Sequence, residues 1–152
     1  MSQAAIRRAE PCDRAAVETI VRDAYAHYIA RIGKPPGPML DDYAALIATG
    51  VVSVLDELGD GIAAIIVLLP KSDHLLLDNI AVRNDRQGQG LGRRLIAFAE
   101  AEVRRLNYNE LRLYTHMMMT ENIALYTRLG FIETGRGHDA GYERVFMTKR
   151  LG

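Results

Sequence analysis

Apolar residues recur at Val17, Ile20, Val21, Ala24 and Tyr28, three or four positions apart. This spacing predicts a helix that Asp13 caps and that extends toward Ile32. Ala4 to Ala9 reads as a short strand before it, and Gly33-Lys34-Pro35-Pro36-Gly37-Pro38 stops it. Asp41 or Asp42 caps a short helix to about Ala48. Val51 to Leu55 and Ile62 to Leu69 are apolar runs joined through Gly59-Asp60-Gly61, the pattern of a hairpin. His74 to Val82 is too apolar in its first half to alternate, which places it centrally in a sheet. Leu91, Leu95, Phe98 or Ala99, Val103 and Leu106 then line one face of a helix, with Glu100, Arg104 and Arg105 mainly elsewhere. Leu111 to Thr115 follows as a strand. Thr120 or Asn122 caps the next helix and Gly130 ends it. Phe131 to Thr134 and Tyr142 to Lys149 are the closing strands, around a glycine-rich loop from Gly135 to Gly141. The predicted order is β-α-α-β-β-β-α-β-α-β-β, a mixed α/β fold.

Composition adjusts this picture only slightly. A chain of 152 residues suggests one domain, and 49% hydrophobic residues can supply its core. The formal net charge of zero gives no general attraction to polyanions. Six arginines lie between Arg83 and Arg105, but they interleave with acids and lack aromatic stacking partners, so nucleic acid is not expected. The single Cys12 excludes an intramolecular disulfide. No stretch of eighteen apolar residues and no basic-then-apolar leader is present, so a reducing cytoplasm away from membranes is the expectation. Met117 to Met119 are expected to fill core gaps, since thioethers alone make a poor metal site. No metal is implied.

The candidate chemistry lies in one segment. The strand ending Asp78-Asn79-Ile80-Ala81-Val82 runs through Arg83-Asn84-Asp85-Arg86-Gln87 into Gly88-Gln89-Gly90-Leu91-Gly92-Arg93-Arg94. Three glycines spaced two apart let a backbone approach a ligand without Cβ interference. Consecutive N–H groups at a helix N-terminus can then point at a diphosphate. A nucleotide triphosphatase loop needs G-x-x-x-x-G-K followed by Ser or Thr, and neither follows here. A dinucleotide loop has G-x-G-x-x-G near the start of a βαβ unit, whereas these glycines run G-x-G-x-G after about half the chain.

The spacing that fits is Gln or Arg, two residues, Gly, one residue, Gly or Ala, met by Gln87, Gly90 and Gly92. This segment, with Met119-Thr120-Glu121-Asn122-Ile123-Ala124-Leu125-Tyr126-Thr127-Arg128-Leu129-Gly130-Phe131 further on, resembles the GNAT superfamily of acetyl-CoA-dependent N-acetyltransferases over nearly the whole chain. The resemblance implies a single domain over residues 1–152: a mixed, mostly antiparallel sheet flanked by helices, whose splayed central parallel strands hold the pantetheine arm. Those strands would be Leu75 to Val82 and Leu111 to Thr115. It implies main-chain bonds to pantetheine at Ile80, Ala81 and Val82, and pyrophosphate donors at Gln87, Gly88, Gly90, Gly92 and Arg93. One or two of Arg83, Arg86, Arg93 and Arg94 would meet the 3′-phosphate, or all would be solvated surface.

Acetyl transfer needs a neutral amine, a stabilised oxyanion and a thiolate that can leave. A lysine-like amine is only about one part in a thousand neutral near physiological pH, so a base matters. Asp78, toward the end of its strand, is the candidate base, directly or through water, or else a structural carboxylate. The resemblance implies Tyr126 as the proton donor to the thiolate, and Asn122, one turn earlier, as a pantetheine ligand. Family members more often carry an asparagine seven residues before the tyrosine, where this chain has Met119. Tyr25, Tyr28, Arg31, Met39, Asp42 and Tyr43, in the aromatic and proline-rich stretch, are the candidate acceptor pocket, with Tyr28 and Met39 equally suited to packing. His116 and Tyr142 are placed to face the same cleft. The expected activity is transfer of acetyl from acetyl-CoA to a primary amine of a small molecule or peptide; the alternative is a non-catalytic acyl-CoA sensor. Family members often pair through their last strands, which makes a homodimer an expectation.

Overall fold

The computed structural model describes residues 4–139 and 141–151. They form two compact units, one of residues 4–68 with 79–95 and the other of residues 69–78 with 96–151. In the first, β1 (Ala4–Arg8) pairs antiparallel with β2 (Val52–Glu57), and β2 pairs antiparallel with β3 (Gly61–Pro70), with a bulge at Leu55/Asp56. Between β1 and β2 come α1 (Arg14–Tyr25), α2 (His27–Ile32) and α3 (Tyr43–Ala48). Helix α1 buries Val17, Ile20 and Val21 of the predicted stripe, together with Tyr25, whereas Ala24 is half-buried. In the second unit, the first half of β4 (Leu75–Val82) pairs parallel with β5 (Glu110–His116). Strand β5 is antiparallel to β7 (Tyr142–Arg150), which is antiparallel to β6 (Ile132–Asp139). The helices there are α4 (Leu91–Arg105), which begins in the first unit, and α5 (Thr120–Arg128). Leu111, Leu113, Ile96, Ala99 and Val103 are buried in this half. The sheet has seven strands in the order β1-β2-β3-β4-β5-β7-β6, a mixed α/β fold of the expected class.

Several local expectations are corrected. The single helix to Ile32 is divided at Ala26, where Ile29 N–H bonds back to the Ala26 carbonyl in a tighter turn. Asp13 does not cap it: its carboxylate accepts from the Glu10 N–H at 2.7 Å and from Arg7 at 2.8 and 3.1 Å. Asp42 does cap α3, accepting from Ala45 N–H. Neither Thr120 nor Asn122 caps α5; Met119 holds that position, and the Thr120 hydroxyl donates to Glu121. The glycine-rich stretch after Thr134 is strand, since backbone pairing with β7 continues from Ile132 to Asp139 and outweighs the weak strand preference of Gly135 and Gly137. Met119 is core, whereas Met117 and Met118 are exposed. Strand β4 lies centrally, but its residues alternate between buried and half-buried. Among the described residues no helix is long and apolar enough to cross a membrane.

The Arg7 guanidinium beside Asp13 holds that buried carboxyl below the usual carboxylate range, and the Glu10 N–H acts in the same direction. A depressed folded pKa stabilises the protein above the unfolded value of about 3.9 and loses that contribution as pH falls through the folded value. Asp13→Asn should therefore lower the urea midpoint near neutrality and flatten its fall below about pH 4. Parallel wild-type and variant pH profiles would contradict this.

Candidate active site

The glycine loop begins where β4 ends. Arg83 N–H bonds to the Ala63 carbonyl at 2.8 Å, and Asn84–Arg86 forms one 3-10 turn. Arg83 donates to Asp85 and to the carbonyls of Asp60 and Ile62, while Arg86 donates to the buried Glu57 at 2.7 Å. These two side chains fasten the loop to the β2–β3 hairpin, so they are committed to protein groups. Arg94 donates to the Ala4 carbonyl, and Arg93 is exposed. The Gln87 amide turns back to the Val82 carbonyl at 3.4 Å and the Asn84 side chain at 3.2 Å.

Gly88 and Gly90 both have φ of +80°, a conformation costly for residues with a Cβ. A Cβ built at Gly88, Gly90 or Gly92 would meet nothing within 4 Å, so open space faces the loop. The first helical bond after it is from Arg94 N–H to the Gly90 carbonyl. The earlier N–H groups of α4 have no partner in the helix, and the macrodipole places roughly half a positive charge there. A diphosphate fits this donor set.

Tyr25 and Tyr43, expected in an acceptor pocket, are buried and converge on Asn79. The Tyr25 hydroxyl lies 2.7 Å from the Asn79 side-chain oxygen and 2.8 Å from the Ile80 carbonyl, and Asn79 donates to the Tyr43 hydroxyl at 2.7 Å. Tyr43 in turn donates to the Pro38 carbonyl. The hydroxyls thus position β4 and the proline segment, and one of them reaches Ile80, the first of the residues expected to bond pantetheine. Ala81 is buried and Val82 half-buried beyond it. Tyr28 is also buried, with exposed Arg31 over its ring at 5.2 Å, and Met39 is half-buried. Asn79 escaped the sequence argument, since it follows Asp78 in the strand and no local pattern sets its amide apart.

In the second unit the parallel register covers Leu75–Leu77 with Leu111–Leu113. Asp78, the next residue, is half-buried, with the Tyr114 hydroxyl 3.5 Å from its carboxylate. His116 ends β5, and its Nδ1 accepts the Met118 N–H at 3.0 Å. That bond fixes the neutral ring with its proton on Nε2. The ring meets Tyr142 edge-on at 5.9 Å. Tyr126 is 4% exposed, its ring against Phe131 at 5.6 Å, with half-buried Asn122 one turn earlier on α5. Met119, where an asparagine is commoner, is in the core with the Thr115 hydroxyl against its sulfur. An open cavity of about 820 Å³ is walled by Leu76, Arg112, Tyr114, Ile132 and Phe146 among others.

A mixed sheet whose central strand leads through a glycine loop to a helix N-terminus suits an α/β enzyme that holds a diphosphate-bearing ligand. Residues 48–133, more than half of the chain, match the family described as acetyltransferase (GNAT) domain, and the chain belongs to that family. Among solved structures it is similar to the ribosomal-protein-S18-alanine N-acetyltransferase of Escherichia coli, with 24% identity, a TM-score of 0.76, and coverage of 99% of this chain and 95% of that one. It is also similar to the PaiA N-acetyltransferase of Thermoplasma acidophilum in complex with coenzyme A, at 14% identity and a TM-score of 0.79, covering 98% of this chain and 99% of that one. A spermidine N-acetyltransferase SpeG chimera of Vibrio cholerae and hSSAT matches at 17% identity and a TM-score of 0.75, covering 98% and 96%. No curated protein matches the sequence.

Proposed function

We propose that this enzyme transfers an acetyl group from acetyl-CoA to a primary amine by direct attack on the thioester. The observation that carries the proposal is the loop from Gln87 to Gly92, two of whose glycines take a positive φ beside open space at the start of a fifteen-residue helix. Gln87, Gly88, Gly90, Gly92 and Arg93 would hold the pyrophosphate through main-chain donors, each charge-assisted bond contributing about 1.5 to 3 kcal/mol. Ile80, Ala81 and Val82 would offer main-chain groups to the pantetheine amides, and Asn122 its side chain.

Acetyl-CoA supplies a carbonyl for the amine to attack and a sulfur that can leave. Asp78 would take the proton of the incoming ammonium, directly or through water. Tyr126 would hold the proton that goes to sulfur: a phenol near pKa 10 starts protonated, and giving its proton to a thiolate whose thiol is near 8.5 is only slightly uphill. Overall one N–C bond forms, one C–S bond breaks, and one proton is released to solvent, with Asp78 and Tyr126 returned to their starting states. The neighbours' names include a protein alanine and spermidine as acceptors, and an amine of small-molecule or peptide origin is the class proposed here.

Titration of the purified protein with acetyl-CoA, coenzyme A and ATP tests the proposal. One-to-one binding of both coenzyme A species without ATP binding is expected, followed by thiol release once an amine is supplied. Binding without release for any amine would favour an acyl-CoA sensor. No binding would remove the pyrophosphate loop from consideration.

A further inference from the structure

Arg144 of β7 lies directly opposite His116 in the β5–β7 ladder, and its surroundings are unusual for an arginine. Its side chain is 13% exposed. The guanidinium carbon stands 4.4 Å from the centroid of the Tyr114 ring and 5.1 Å from that of Tyr142. Ring faces stabilise the charge but take up none of the in-plane N–H donors. The nearest carboxylate, that of the largely exposed Asp139, is 4.0 Å from Nε, beyond hydrogen-bond length. Among the described residues, Nε of Arg144 is the buried side-chain nitrogen or oxygen that has no hydrogen-bond partner. A buried charged donor left without an acceptor is costly, and native proteins rarely keep one.

The Tyr114 ring that carries Arg144 also brings its hydroxyl to 3.5 Å from Asp78. One aromatic side chain therefore joins a guanidinium whose Nε has no hydrogen-bond acceptor to a half-buried carboxylate. We infer that Arg144 binds the carboxylate of the acceptor, and that the acceptor is an amino acid, its ammonium toward Asp78 and its carboxylate at the in-plane edge of the Arg144 guanidinium. The planar fork of arginine matches a carboxylate in two parallel bonds, which a lysine ammonium in the same place does not reproduce. A phosphate monoester would present the same fork with a second negative charge, which the neighbouring Asp78 opposes. The ammonium end of this assignment rests on the acetyl-transfer proposal; the carboxylate end stands on the arginine alone.

The two ends separate experimentally. In protein labelled with nitrogen-15, the Nε–Hε signal of Arg144 is identified by its loss in Arg144→Lys. The probes are the twenty L-amino acids, the amines made by decarboxylating them, and O-phosphoethanolamine. At least one amino acid should move that signal saturably, with its decarboxylated amine binding on the order of 10- to 100-fold more weakly. Arg144→Lys and Arg144→Gln should weaken that amino acid by a similar factor while acetyl-CoA binds as in wild type, and the spectra themselves report whether the variants fold. The inference is overturned if no amino acid moves the signal, if the amine binds as tightly as its parent, if both variants keep full affinity, or if phosphoethanolamine binds best. A chain that takes amino acids at Arg144 but fails to bind acetyl-CoA keeps the carboxylate site and loses the transfer role.

Discussion

Gly90→Asp is expected to weaken acetyl-CoA binding at least ~100-fold while leaving the protein folded. The two effects part because of the local backbone. Gly90 has φ of +80°, and aspartate is among the few residues with a Cβ that tolerate the left-handed region, at a cost of about 1 kcal/mol. Nothing lies within 4 Å of the new Cβ, so no protein atom is displaced. The added carboxylate instead enters the space before the α4 N-terminus, where the proposed pyrophosphate brings its own negative charge. Like charges about 4 Å apart repel by roughly 1 to 4 kcal/mol over the dielectric range between water and a protein surface, and the steric block adds to this. Calorimetric titration alongside a melting curve is the appropriate pair of measurements. Wild-type affinity in a folded Gly90→Asp protein would move the pyrophosphate elsewhere. Gly92 lacks a positive φ and also faces open space, so Gly92→Ala should leave melting nearly unchanged while weakening acetyl-CoA binding, because its Cβ enters the space that the pyrophosphate would fill.

Tyr126→Phe should reduce turnover by about 100-fold, the lower end of the range for a positioned general acid, with acetyl-CoA affinity within about twofold of wild type. The ring is buried and packed edge-on against Phe131, and phenylalanine retains that packing, so the core is largely preserved. The kinetic signature discriminates further. An acyl donor with a more acidic leaving thiol needs less help from a proton donor, so the loss should shrink with such a donor. A loss independent of the leaving group would assign Tyr126 to alignment, and unchanged turnover would assign it to packing.

The residues that sequence identified most directly act through backbone close to them in the chain. Gln87, Gly90 and Gly92 lie within six positions, and their spacing alone predicts a strand, a loop and a helix start. The helix stripes were equally legible, since Val17, Ile20 and Val21 need only a periodicity. What escaped depends on distant partners. Asn79 is satisfied by tyrosines 54 and 36 positions away, and no local pattern marks such an amide. Nothing in the chain around Arg144 marks it, because Tyr114, one of the two rings that lie against it, is thirty positions away. The strand character of Gly135 and Gly137 is likewise imposed by β7 and not by their own preference.

The Tyr25–Asn79–Tyr43 cluster bears on how this protein can change over evolutionary time. Both hydrogen bonds to Asn79 are buried, so losing either tyrosine hydroxyl strands one end of its amide, at a cost of roughly 1 to 3 kcal/mol. The hydroxyls depend on the amide less, since they also bond the Ile80 and Pro38 carbonyls. A homologue that keeps the asparagine should therefore keep both tyrosines, whereas the tyrosines can outlast it.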